Sequence, residues 1–133
     1  MTFDEFLGKV QNRAKLASTG EAVSATRATL EVLGERLFGG EAGDLAAQLP
    51  REIQLFLLRP GPRDSFDLND FFDRVSLREG VDLPRAVFHA KAVMSVLMEA
   101  VSPGEWADMR DQLPQSFNEL FNWEDEGWQR KAA

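Results

Sequence analysis

The sequence predicts an all-α protein made of two tandem four-helix repeats that pack about a pseudo-twofold axis into one helical domain. Apolar residues recur three and four positions apart, the spacing of one helix face, and no segment alternates between apolar and polar residues as a half-buried strand would. A block at Gly40–Pro50 recurs 64 positions later as Gly104–Pro114 (50 to 114). A segment rich in proline and glycine divides the chain near its midpoint.

The first repeat, residues 1–59, is predicted to contain a medium, a long and two short helices. Its first helix is predicted to end near Ala17, and paired glycines stop the second, because glycine adopts the left-handed cap conformation at little cost. Pro50 separates the two short helices, since proline suits the first turn of a new helix. Capping boxes mark the starts of the first two helices: Thr2 with Glu5, and Ser18 with Glu21.

The second repeat, residues 66–122, follows the same plan after a linker at residues 60–65. Two prolines around a glycine in this linker sustain neither a helix nor a sheet ladder. The four helices of the second repeat are predicted to start at Asp67, at Asp82, at a third capping box of Ser102 with Glu105, and at Pro114.

Composition argues against several classes of function. The length of 133 residues fits one domain, assigned to residues 1–122. A formal net charge of −7 disfavours nucleic acid as a partner, because phosphate backbones attract clustered Lys and Arg. The chain has no cysteine, which excludes disulfides, thiolate zinc sites and cysteine nucleophiles. Charges interrupt every apolar stretch, so we expect no membrane segment and a cytoplasmic location.

No catalytic residue and no cofactor is predicted. His89 is the only histidine, and its nearest polar neighbours in the sequence, Arg85 and Lys91, are not carboxylates that could orient a base. We interpret it as a surface or boundary histidine. The sequence also has no phosphate-binding loop, dinucleotide fingerprint or zinc signature.

Two acidic pairs, Glu41 with Asp44 and Glu105 with Asp108, occupy equivalent positions in the duplicated block. Each pair is spaced so that both carboxylates share a helix edge. The glutamates lie in first turns, where a carboxylate complements the helix dipole, and helix capping is the favoured interpretation. The alternative is that the pseudo-twofold axis brings all four carboxylates together around a divalent cation. Di-metal bundles add a histidine at Glu-x-x-His spacing, which is missing here.

Three tryptophans carry the leading hypothesis for function. Trp106 replaces Ala42 of the first repeat, and Trp123 and Trp128 lie in an acidic tail, residues 123–133, that has no counterpart in the first half. Tryptophan is enriched at binding hot spots. We therefore predict a protein-interaction or adapter module without catalysis, whose partner is another protein or a second copy of the chain. Core filling is the alternative role of Trp106.

A different class of function is a small-molecule or divalent-cation binding protein, or an enzyme, that uses a pocket between the two repeats. That alternative predicts a concave site lined by both halves, with carboxylates whose pKa values are perturbed.

The duplicated block and the aromatic start resemble the bacterial family catalogued as domain of unknown function 2267. The resemblance covers about residues 2–122 and implies an all-helical bacterial protein of two repeats. It assigns no activity, so no catalytic residue follows from it, and the tail lies beyond the pattern. The segments that carry the resemblance are Asp4–Leu7, Thr26–Leu37, Gly39–Pro50 and Val93–Pro114.

Overall fold

The computed structural model describes residues 1–59 and 61–123, and within them it contains seven α-helices and one 3-10 helix. The described residues form no strand, so the predicted all-α class is confirmed. None of these helices is both long and apolar enough to cross a membrane. The elements are α1 (Phe3–Arg13), α2 (Thr19–Arg36), α3 (Glu41–Ala46), α4 (Arg51–Leu58), α5 (Leu68–Glu79), α6 (Leu83–Ala100), α7 (Pro103–Asp111) and the 3-10 helix (Gln115–Phe121).

The first predicted capping box forms and the second forms only in part. The Thr2 hydroxyl accepts the Glu5 N–H at 3.1 Å, and the Glu5 carboxylate accepts the Thr2 N–H at 3.4 Å. Ser18 caps α2 by accepting the Glu21 N–H at 3.2 Å. The Glu21 carboxylate, however, accepts the N–H of Ala17 at 2.8 Å, one residue before the cap.

One helix end and one helix type differ from the prediction. Helix α1 ends at Arg13 and not near Ala17, because Lys15 adopts a left-handed backbone with φ 55°. The segment after Pro114 is a 3-10 helix and not an α-helix. Its buried residues, Phe117 and Leu120, are three positions apart, and this spacing aligns side chains in a 3-10 helix.

The two long helices, α2 and α6, contact each other and form the centre of one hydrophobic core. Helix α1 packs against α2 and α6, and α5 packs against α6 and α2, so each medium helix contacts both long ones. The rings of Phe71 and Phe117 meet edge to face, with centroids 6.1 Å apart. Phe6, Phe71 and Phe117 are fully buried.

Helix α4 lies so close to α2 that a side chain at Gly34 would collide with it. A Cβ at this glycine would lie 2.4 Å from the carbonyl oxygen of Leu57. Glycine is therefore required at this position for the observed packing of the two helices.

The segment between α4 and α5 forms no helix at Arg59 or at residues 61–67. It runs along α2, since the Asp64 N–H donates to the Glu35 carbonyl at 3.0 Å and the Arg63 Nε donates to the Leu37 carbonyl at 2.9 Å. Residue 60 of the predicted linker and residues 124–133 of the predicted tail lie outside the described residues.

Candidate functional site

The duplicated block builds the contact between α3 and α7. Gly40 precedes α3 with a left-handed backbone, φ 83°, which turns the chain out of α2 and its extended C-cap. Ser102 precedes α7, and its hydroxyl accepts the Glu105 N–H at 3.2 Å. Both short helices thereby present their first turns, and the glutamates of the duplicated block, to each other.

Two glutamines of the block hold this contact together by reaching across it. The Gln48 Oε1 accepts the Ser102 N–H at 2.7 Å. The Gln112 Oε1 accepts the Phe38 N–H at 3.0 Å, and its Nε2 donates to the Phe38 carbonyl at 2.9 Å. Gln112 lies 64 positions after Gln48, and Ser102 lies 64 positions after Phe38. The two bridges are therefore reciprocal in the sequence.

Three carboxylates converge between these helices. Glu41, Asp44 and Glu105 each offer an oxygen, and the three oxygens all lie within 4.8 Å of one another. Glu41 is only 6% exposed, whereas Asp44 is exposed and Glu105 is intermediate. Asp108, the fourth acid predicted for this cluster, is exposed and near enough to act on the charge of Glu41. We call Glu41, Asp44 and Glu105 the acidic cluster.

Both glutamates lie in the first turns of their helices, as the capping interpretation expects, but neither forms a side-chain cap hydrogen bond. Helix α3 has no side-chain cap, and the N–H of Ser102 is bonded to Gln48 and not to Glu105. The predicted third capping box is therefore only half formed. The Glu41 Oε1 and the Glu105 Oε2 are buried and make no hydrogen bond to the described residues. Carboxylate oxygens in that position lack the donors that a buried charge needs.

Burial is the main cause that raises the pKa of Glu41 to about 8, and the adjacent Glu105 adds to the shift. Asp44 and Asp108 contribute smaller repulsions to the same pKa. The Glu41 carboxyl therefore holds a proton at neutral pH unless a positive charge enters the cluster. A cation that replaces this proton would be bound by these carboxylate oxygens, with water completing its coordination.

His89 differs from its sequence-based interpretation, because it is buried and paired with a carboxylate. The residue is 6% exposed, and its Nδ1 lies 2.5 Å from the Glu79 Oε2. Glu79 ends α5 directly before Gly80, whose left-handed backbone, φ 75°, reverses the chain into α6. The sequence signal that indicates this pairing is a glutamate at a helix end, followed by a glycine and a second helix.

A cavity of about 440 Å³ adjoins this histidine and carries side chains from both halves of the chain. Its wall combines four charged residues, one hydroxyl and the histidine with apolar side chains. The lining residues are Lys15, Leu16, Ala17, Glu21, Ser24, Glu79, Val81, Arg85 and His89.

Two of the three tryptophans named by the interaction hypothesis pack onto the protein itself. Trp106 is 9% exposed, and its ring meets Phe121 edge to face with centroids 5.3 Å apart. Core filling is therefore its role in this structure. The Arg13 guanidinium lies 5.4 Å from the centre of the Trp123 ring, within the range of a cation–π contact. Trp128 lies outside the described residues.

The fold and the site define a class: an all-helical protein with a partly buried acidic cluster at a contact between two short helices. The chain belongs to the family of uncharacterized conserved proteins DUF2267, whose model matches residues 3–120. No curated protein matches the chain. The family description names no activity.

Proposed function

We propose that this protein binds a divalent cation at the acidic cluster. The observation that carries the proposal is the Glu41 Oε1, which is buried without a hydrogen-bond partner beside a second carboxylate. An ionised carboxylate in that position is destabilising by several kcal/mol unless it is paired. A proton on Glu41 is shared with Glu105 through a hydrogen bond, whereas a divalent cation also satisfies Asp44.

The ligand type and spacing favour a cation of the size of Ca²⁺. All three ligands are carboxylate oxygens, which suit hard cations such as Ca²⁺ and Mg²⁺. Ca²⁺ lies roughly 2.3–2.6 Å from its ligands, so two of its ligands lie at most about 5 Å apart. The three oxygens lie within 4.8 Å of one another, so one Ca²⁺ can reach all of them. Mg²⁺ demands near-ideal octahedral geometry and loses its waters reluctantly, so three carboxylates of unequal burial suit it less well.

In this proposal the cation joins two equivalent units. The reciprocal bridges of Gln48 and Gln112, together with the contact between α3 and α7, support two tandem four-helix repeats about a pseudo-twofold axis. Glu41 and Glu105 occupy equivalent positions and would supply one ligand from each repeat. Bound cation would then fasten the repeats at a point where like charges otherwise repel.

Calorimetric titration of the chelator-treated protein with CaCl₂ at pH 7.5 tests the proposal. We expect one site per chain, weaker heats with MgCl₂, and release of a proton, because Glu41 must ionise to bind the metal. Titration in two buffers of different ionisation enthalpy measures that proton directly. Elemental analysis of the dialysed complex gives the stoichiometry independently.

Matched variants separate a cation site from a shared proton. Glu41→Gln and Glu105→Gln each remove one ligand charge while keeping shape, and both should weaken Ca²⁺ at least tenfold. Asp73→Asn removes an exposed charge on α5 and should leave the affinity unchanged. Absence of binding up to about 1 mM Ca²⁺, the weak end of natural calcium sites, would mean that a proton alone satisfies the cluster and would overturn the proposal.

A protein-interaction module without catalysis is the second candidate function. Its remaining candidate contact residue lies in the tail, residues 123–133. Trp106 is buried, and Trp123 packs on Arg13, which leaves Trp128 as the remaining tryptophan of that hypothesis. Sedimentation of the full chain against a chain ending at Trp123 tests self-association through this segment. Equal monomer masses for both chains would argue against a homodimer held by the tail.

A further inference from the structure

We infer that the cavity beside His89 binds a small organic anion that also carries a hydroxyl group. This cavity is lined by residues between Lys15 and Ser24 and between Glu79 and His89, none of which belongs to the acidic cluster. The inference is therefore independent of the proposed cation site. Four features of the cavity carry it.

The first feature is an oriented imidazole at the cavity wall. Glu79 fixes the His89 ring through Nδ1, and the two side chains are only 4% and 8% exposed, respectively. The Nε2 of the ring makes no hydrogen bond within the part of the chain that the structure describes. A ring held in this way presents one nitrogen to whatever occupies the cavity.

The second feature is an unsatisfied acceptor in the same wall. The Glu79 Oε1 is buried and has no hydrogen-bond partner among the described residues. Buried carboxylate oxygens are normally paired, so this atom calls for a donor. A ligand hydroxyl would supply one once the carboxylate turns toward the cavity, and this defines the first half of the ligand class.

The third feature is positive charge at the cavity rim. Lys15 is the one non-glycine residue with a left-handed backbone in the described chain, and the residue at the matching end of α5 is Gly80. A lysine in this conformation is strained where glycine would not be, and such strain concentrates at functional sites. Arg85, which also lines the cavity, has a side chain that is 70% exposed and meets Asp82 only at 3.6 Å.

The charge of the lining favours an anion over a cation as the ligand. Lys15 and Arg85 face Glu21, whose carboxylate already accepts the Ala17 N–H at 2.8 Å, and Glu79, which already holds His89. The Lys15 ammonium makes no ion pair among the described residues, and Arg85 pairs only with Asp82, so positive charge at the rim is free to contact a ligand. The volume of about 440 Å³ lies in the range of small-molecule sites, roughly 300–1,000 Å³.

The fourth feature is that the packing of the fold does not require the pair of His89 and Glu79. His89 corresponds to Ala25, 64 positions earlier, and Glu79 corresponds to Ala14, by the 65-position offset that aligns α5 with α1. Ala14 and Ala25 are buried in their own half without any polar pair. The second half thus contains a buried hydrogen-bonded pair where alanines suffice, which points to binding rather than packing.

Proton NMR of the unlabelled, tag-free protein tests the inference, because His89 is the only histidine and its ring signals need no assignment. The probes are sodium lactate, sodium propionate, which lacks the hydroxyl, and sodium phosphate. We expect saturable shifts of the His89 ring signals with lactate, and at least fivefold weaker binding of propionate. Absence of any saturable shift up to about 50 mM of all three probes would overturn the inference.

Variants distinguish ligand binding from a structural role. Glu79→Gln should remove the preference for lactate over propionate. Lys15→Gly should weaken lactate at least threefold while raising the melting temperature, because glycine relieves the left-handed strain. Lys9→Ala, which removes a lysine of α1 paired with Glu99, should not change lactate binding. Equal lactate affinity in Lys15→Gly and the unmodified chain would contradict the assigned anion contact.

Discussion

Glu41 is the residue at which burial and charge conflict most directly. Its pKa of about 8 in the folded protein lies well above its usual value of 4.5, because burial and the adjacent Glu105 disfavour ionisation. The sequence places Glu41 and Glu105 at equivalent positions of a repeated block. It could not reveal that Glu41 is buried, because its burial depends on α3 meeting α7 across the molecule.

The raised pKa of Glu41 predicts how the stability of the metal-free protein depends on pH. Between about pH 4.5 and about 8 the folded state retains a proton that the unfolded state has lost, so the free energy of unfolding falls as pH rises. Glu41→Gln cannot ionise and should abolish this component of the fall. Chemical denaturation in EDTA at pH 5.5, 7 and 8.5 measures it. A variant that keeps the full slope would show that another group causes it.

At the scale of elements, the side-chain N-caps form as the sequence indicates, whereas the contacts between helices could not be predicted from it. The caps at Thr2, Asp67 and Asp82 depend on residues three positions apart, and each forms as the sequence indicates. The pairing of His89 with Glu79 and the approach of α4 to α2 depend on how helices meet. No spacing rule along the chain encodes the approach of α4 to α2, and the glutamate-glycine step at the end of α5 is the one sequence signal for the pairing of His89 with Glu79.

The contact between α2 and α4 gives a prediction with an internal control. Gly34→Ala places a methyl group 2.4 Å from the Leu57 carbonyl oxygen and should destabilise the protein by about 2–3 kcal/mol through overpacking. Gly8→Ala, on the exposed face of α1 with nothing within 4 Å, should stabilise it by roughly 0.5–1 kcal/mol. Urea denaturation of both variants measures the two changes in unfolding free energy. Equal changes would contradict a steric clash at Gly34.

The glutamine bridges predict a matched pair of effects on the contact between α3 and α7. Gln48→Ala and Gln112→Ala each remove two hydrogen bonds across this contact, so each should cost about 1–2 kcal/mol. Gln115→Ala, at an exposed site of the 3-10 helix, should stay within about 0.5 kcal/mol. If only one bridge contributes to the measured unfolding free energy, the two bridges are not energetically equivalent.

At the scale of the whole molecule, the proposed function makes protons and cations competitors for one position between the two halves. The medium helix of each half already packs on the long helix of the other, and a single core runs through both halves. The acidic cluster is the one place along the contact between α3 and α7 where three carboxylates oppose this association. A bound cation would convert that repulsion into a crosslink, and its effect on stability must grow as Glu41 ionises.

That competition predicts that the stabilisation added by Ca²⁺ grows with pH, while the stability of the metal-free protein falls. At a fixed Ca²⁺ concentration, the rise in melting temperature should be larger at pH 8.5 than at pH 6, because fewer protons occupy Glu41 at the higher pH. Ligand at 100 times its dissociation constant adds about 2.7 kcal/mol to the unfolding free energy, which is well above the error of thermal melts. Scanning calorimetry in CaCl₂ and in EDTA at both pH values measures the difference. The same Ca²⁺ effect at both pH values, or an undiminished effect in Glu41→Gln, would separate cation binding from Glu41 and place any bound metal elsewhere on the molecule.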